Sequence, residues 1–279
     1  ITHYLSAAPQ GLAEAYITGG LPPINHHPDD VYRATYRRVR GKNQKYFARY
    51  PDDADRARTI ADFLHDHDVR LPNGDRLTVR RFQQLGMSFG ASDGFEKIHY
   101  LLEEAFVDGA HGREINLAFL RGYDQLMPFE PNPVYAIFQE PIYCEGAAAN
   151  WSAERLRAEY PEFDAAPNQP LLFTGEMIYP WMFDEYAALR PLKDAAEILA
   201  ADADWPPLYD KSVLQQNTVP VAAAMYYDDM YVERALSEET ASLIKGIKVW
   251  ATSEHEHNAL RADGERVLGH LIGMLHGEV

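Results

Sequence analysis

One cysteine, Cys144, among 279 residues leaves no partner for an intramolecular disulfide and no ligands for a multi-cysteine metal cluster. That fits a reducing, cytoplasmic compartment. Long hydrophobic runs are also missing: the longest, Val219 to Tyr227, is interrupted by Pro220 and is about half of the roughly 18 residues a membrane-spanning helix needs. No membrane helix is expected. Positive charge is scarce, since 26 Lys and Arg stand against 42 Asp and Glu, for a net charge of −16. Nucleic acids and anionic bilayers are held by basic faces whose contacts release counterions, so neither is expected as a partner. Ile1 to Gln10 has neither the basic n-region nor the apolar h-region of a secretory signal. An initiator Met is absent, and the chain is expected to be trimmed or to begin partway through a longer protein.

Core-forming residues, by contrast, are plentiful. With 46% hydrophobic and 12% aromatic content, including 17 Tyr and 12 Phe, the chain is too apolar for acidic disorder and reads as globular. Ile1 to Gln10 reads as the tail of a helix ended by Pro9 and Gly11, and Leu12 to Thr18 as a short buried strand running into Gly19 and Gly20. Helix then follows helix: Val31 to about Tyr50 behind Asp29 and Asp30, Asp53 to His65, and Val79 to Leu85 behind Thr78. A stretch capped by Ser92 carries Phe95, Ile98, Leu102 and Phe106 at helical spacing. Further helices are expected over Glu114 to Leu126, Pro133 to Tyr143 and Ala153 to Glu159. After Pro207 an alternation appears: strand Val219 to Tyr227, helix Ser237 to Ile244, strand Lys248 to Thr252, helix Asp263 to Gly277. Those spacings are the parallel α/β pattern, with the helical middle as an insertion.

Ligands of open α/β sheets lie beyond the carboxyl ends of the strands. Two acidic segments stand there, Tyr226-Tyr227-Asp228-Asp229-Met230 and Ser253-Glu254-His255-Glu256-His257-Asn258. An Asp that orients a His general base forms the second half of a nucleophilic triad, and acid before His is the α/β-hydrolase order. A solvated acidic loop and a surface His are the alternative. For a nucleophile the chain offers a literal GxSxG, Gly86 to Gly90 around Ser88, but the residues before it repeat at helical spacing, where a nucleophile elbow needs a strand. A metal-dependent hydrolase would instead draw on Glu254, His255 and His257, or on His26, His27, Asp29 and Asp30, none with a recognised ligand spacing. A third alternative is a non-catalytic helical binding protein built on a hydrolase remnant. Cys144 reads as a small buried apolar residue.

Three segments, LLFTGEMIYPWMF at Leu171 to Phe183, VPVAAAMYYDDMYVE at Val219 to Glu233 and WATSEHEHNALR at Trp250 to Arg261, resemble the prolyl aminopeptidase (proline iminopeptidase) family of α/β-hydrolases. The opening HYLSAAPQGLAEAYITGGLPP resembles the helix and strand that follow the nucleophile elbow in that family. The resemblance implies the C-terminal part of an α/β-hydrolase core: residues 1–20 in the core, 21–187 a large inserted helical cap, and 188–279 the part of the core carrying Asp and His. It implies serine-type release of N-terminal proline from short peptides without a cofactor or metal. The nucleophile would lie in an upstream segment of the same enzyme, so this chain alone is expected to be inactive. Asp229 falls at the triad acid, beside Asp228, and His257 at the triad base. Glu140 and Glu176 are the best matches to the acids that hold the substrate amine, with Glu103 and Glu104 as second choices. Neighbouring Phe138, Tyr143, Tyr179 and Trp181 are candidates for an apolar slot for the proline ring.

Overall fold

The computed structural model describes residues 1–110, 112–166 and 169–279. In chain order its helices are α1 (Thr2–Ala7), α2 (Pro28–Arg49), α3 (Asp52–Asp66), α4 (Val79–Gln83), α5 (Gly94–Glu103), α6 (Leu117–Leu126), α7 (Pro133–Phe138), α8 (Ser152–Leu156), α9 (Met182–Glu185), α10 (Lys193–Ala201), α11 (Lys211–Leu214), α12 (Arg234–Leu243), α13 (Ala259–Ala262) and α14 (Gly264–His276). The strands are β1 (Ala15–Ile17), β2 (Phe106–Gly109), β3 (Gly112–Ile115), β4 (Val221–Tyr226) and β5 (Lys248–Thr252). The chain is therefore a mixed helical and sheet protein.

β4 is the centre of a parallel three-stranded sheet ordered β1-β4-β5, with Ala15 opposite Val221 and Tyr226 opposite Thr252. All six of its residues are buried. Successive strand side chains point to opposite faces. Val221, Ala223 and Met225 accordingly pack with Leu5, Leu214, Ala241 and Ile244, while Ala222, Ala224 and Tyr226 pack with Ala259, Val267 and Leu271. A strand covered on both sides reads as an unbroken apolar run, which is why VAAAMY shows no alternation.

The helices between β1 and β4 enclose a second, larger core that is rich in aromatics. Tyr46, Phe89, Phe95 and Phe173 meet with ring centroids 4.8 to 6.1 Å apart, mostly edge to face. Such pairs contribute about 0.5–1.5 kcal/mol each beyond their buried area. α2 crosses this layer; Pro28 sits in its first turn and the His27 side chain accepts the Asp29 amide.

Three local expectations are corrected. Phe106 does not continue the amphipathic helix, and Glu114 does not begin the next: Phe106 pairs with Ile115 and Gly109 with Gly112 in an antiparallel hairpin. Gly112 has φ +113°, a conformation open to glycine, and Asn116 then caps α6 by accepting the Ala118 amide. Ser92 does not cap α5; its own amide donates to Asn258 Oδ1 at 2.9 Å, and Asp93 stands at the cap position. α12 starts three residues before Ser237, with Glu233 accepting the Ala235 amide, and the Ser237 hydroxyl joins the backbone of Leu21 instead.

Candidate active site

The amide of Tyr227 donates to Thr252, carrying the β4–β5 ladder one step past β4. The chain then turns, and Asp229 lands 1% exposed beneath the sheet edge. Its Oδ1 accepts the amides of Tyr231 (2.8 Å) and Val232 (3.0 Å), and its Oδ2 lies 2.8 Å from His257 Nδ1. An ionised carboxylate only accepts, so Nδ1 carries the proton of this bond and Nε2 keeps its lone pair. Asp228 turns away to Lys45 at 2.5 Å.

Burial works to lower the pKa of His257. The hydrogen bond and charge of Asp229, joined by the charge of Glu176, outweigh it and hold the imidazole above its ordinary value. Around the ring the fit is close: a Cβ at Gly19 would stand 3.3 Å from His257 Cε1, and Tyr231 meets the ring edge-on at 5.0 Å. An open cleft beside it is lined by Thr18, Gly19, Ala91, Tyr231 and Asn258. Tyr231 was not singled out from the sequence, although it stands two residues after Asp229. Its hydroxyl donates to the Met87 carbonyl, and a Cβ at Gly90 would meet its ring at 2.2 Å.

This packing accounts for the GxSxG. Gly86 lies against the Thr174 carbonyl, where a Cβ would stand at 2.2 Å, and Gly90 against Tyr231. Ser88 sits within a 3₁₀ segment, Gln84–Gly90, with no strand before it. Among the described residues, no serine hydroxyl bonds His257.

Glu176 is brought to the pair. Burial raises its pKa, while the Tyr135 hydroxyl bonded to Oε1, the charge of His257 and the Gln139 side chain oppose the rise. The charges of both His257 and Asp229 thus act on this partly buried carboxylate. Glu140 lies elsewhere in its bonding: Oε1 accepts the Ala153 amide at 2.9 Å and Oε2 the Ser152 amide at 3.1 Å, at the start of α8. Burial nonetheless pushes its pKa up to about 7, against the pull of those two amides. An acid whose folded pKa is raised favours the fold at low pH and loses that contribution as pH rises from about 4.5 to 7. Thermal unfolding across that window should show wild type losing stability relative to Glu140→Gln, and parallel profiles would contradict this. Glu103 and Glu104 are both exposed, and Glu103 lies 3.3 Å from Arg56.

Of the four candidate slot aromatics, Tyr143 lines an apolar cavity of about 190 Å³ together with Gly20, Leu21, Val31, Leu236 and Tyr231, the last of which also lines the cleft beside His257. Phe138 is exposed, and Tyr179 is wholly buried with its hydroxyl on Met177 and Trp181 stacked upon it. Nor do the histidine-rich segments form a cluster. Among the described residues, no group of three or more His, Cys, Asp or Glu side chains is disposed to hold a metal ion. His26 bonds Glu239, His27 caps α2, and His255 packs edge-on between Tyr226 and Trp250.

Fold and site together define a mixed α/β protein with a buried carboxylate–imidazole couple at the carboxyl edge of a parallel sheet, an arrangement suited to general-base chemistry. No family model matches the chain. It is similar to the proline iminopeptidase of Aeromonas sobria, 52% identical over 269 residues that make up 96% of this chain and 62% of that protein. It is also similar to proline iminopeptidase aneH of Aspergillus aculeatus, 33% identical over 272 residues, 97% of this chain and 60% of that protein. The chain belongs to the proline iminopeptidase family, and it spans about three fifths of the length of these relatives.

Proposed function

We propose that the protein to which these residues belong is a serine-type exopeptidase of the α/β-hydrolase class that releases N-terminal proline from short peptides. The observation that carries this reading is the 2.8 Å bond from His257 Nδ1 to Asp229, with Nε2 left beside an open cleft. The relatives' names support the substrate. In this reading residues 1–20 and 188–279 belong to the core and 21–187 to the cap, whose apolar cluster continues through Leu189 to Ala196. The nucleophilic serine comes from the part of the enzyme that this chain does not span. His257 Nε2 takes the serine proton as the oxygen attacks the prolyl carbonyl, and then returns it to the departing amine. Water, deprotonated by the same nitrogen, cleaves the prolyl ester. Asp229 holds the tautomer and stabilises the transient imidazolium. Glu176 binds the substrate's charged secondary amine, the 190 Å³ cavity beside Tyr143 and Tyr231 takes the ring, and Glu140 holds the start of α8.

Two experiments test this. This chain alone should not hydrolyse proline β-naphthylamide; robust hydrolysis lost on Ser88→Ala would move the nucleophile to the 3₁₀ segment. In enzyme that carries the nucleophile, Glu176→Gln should weaken hydrolysis by about 1.5–3 kcal/mol, the scale of a charge-assisted hydrogen bond. N-acetylproline substrates, which lack the charge, should be poor already and lose little more. Equal losses for both substrates would assign Glu176 to the fold.

A further inference from the structure

α2 carries Arg38, Lys42 and Lys45 at spacings of four and three, which gathers three cations on one helix face. Each meets an acid from the loops at the sheet edge. Arg38 forks onto Glu233 with two bonds of 2.7 Å and stands 3.6 Å from Asp228. Lys45 bonds Asp228 at 2.5 Å, and Lys42 bonds Glu256 Oε1 at 2.5 Å. Asp228 immediately precedes Asp229, and Glu256 immediately precedes His257. One helix of the helical layer therefore grips the chain next to both halves of the couple.

The contacts differ in weight. The Lys45 side chain is 58% exposed and that of Lys42 only 4%. Water screens an exposed pair, so it contributes little, whereas Lys42 is shielded from water and depends on Glu256, whose side chain is 29% exposed, for its counter-charge. Residues 253–258 form neither helix nor strand. Besides Lys42 they are tied by the Glu254 amide to Thr252 Oγ1, by Arg266 to Glu254, by the Ser92 amide to Asn258, by the Ala259 amide to the Glu256 carbonyl and by the Arg261 and Ala262 amides to the Asn258 carbonyl. The Ala259–Glu256 bond closes a turn within the loop itself, and among the described residues it is Lys42 that bonds the Glu256 side chain and so ties it to α2.

We propose that Lys42 is a positioning residue: by holding Glu256 it keeps the loop where His257 Nδ1 meets Asp229. The functional meaning rests on the reading of His257 as general base, but the couple can be read directly in this chain. NMR titration of the His257 imidazole provides the signal, together with its low-field Nδ1–H resonance. Asp229 and Glu176 act on this ring directly, with Lys42, Glu256, Asp228, Arg38 and Lys45 around them. If Lys42 acted only through its charge, Lys42→Met would raise the pKa of His257, because a cation is removed and Glu256 is uncovered. Positioning predicts the opposite sign, a fall of about one pH unit with loss of the Nδ1–H signal as the Asp229 bond is broken.

Lys42→Met/Glu256→Met strands no charge and should stay folded; it should show the same fall. Lys42→Gln/Glu256→Gln keeps a neutral hydrogen bond and should restore the wild-type titration. A rise or no change in the folded methionine variants, or no restoration by the glutamine pair, overturns the proposal. In nucleophile-bearing enzyme the methionine pair should lower kcat with KM little changed. A wild-type enzyme that releases no proline while the His257 shifts appear as described would overturn the peptidase reading and leave the positioning role standing.

Discussion

His257→Ala, in enzyme that carries the nucleophile, is expected to lower kcat for proline β-naphthylamide by about a million-fold, the scale seen when one member of a nucleophilic triad is removed. The reason is visible at Nε2. With Nδ1 bonded to Asp229 at 2.8 Å, Nε2 is the free basic nitrogen of the couple, and it lies beside the cleft. Without it the serine must lose its proton to water, and the amine must leave without a donor. KM should change little, because the proposed reading assigns the amine to Glu176 and not to His257. A loss of only ten-fold, measured by steady-state kinetics, would remove His257 from the chemistry.

Asp229→Asn is expected to cost about ten-thousand-fold in kcat. The replacement is nearly isosteric, and its side-chain oxygen still serves the amides of Tyr231 and Val232 that now fix Oδ1. That geometry turns the NH₂ group toward His257 Nδ1. The imidazole must then accept at Nδ1 and carry its proton on Nε2, which offers the serine a hydrogen where a lone pair is needed. The pKa consequence has a definite sign. Asp229 is the principal influence holding His257 above its ordinary value, so the acidic limb of kcat/KM should move down in Asp229→Asn. The same raised pKa means that the charged couple favours the fold below about pH 6.5 and loses this contribution as pH rises through the folded value. An unshifted limb, or a loss of less than about a hundred-fold, would show that the carboxylate does not orient the imidazole.

The sheet was legible because β4 and β5 are short apolar segments separated by one helix, and strand, helix and strand at that spacing leave few parallel arrangements. Helix boundaries were less so. Phe95, Ile98, Leu102 and Phe106 share one helical period, yet the Gly109 and Gly112 positions allow a hairpin that takes Phe106 out of it. Periodicity records which face is apolar and not where a turn intervenes. Glu140 shows the same limit in the site: its flanking apolar residues mark a carboxylate that is buried, but two amides at the start of α8 decide its bonding.

By itself the sequence determined the parallel α/β character, the helical middle, and the two strand-end loops that hold an acid and a histidine, because these depend on local spacing and apolar content. Its long phrases also carried the family. Only the tertiary structure decided which atoms meet: Asp229 with His257 across 28 residues, Ser92 with Asn258 across 166, and Lys42 with Glu256 across 214. A side chain's partner over such separations follows from how a helix face is turned against a loop, and that turn is set by the packing of the whole aromatic layer beneath α2, which no local pattern encodes.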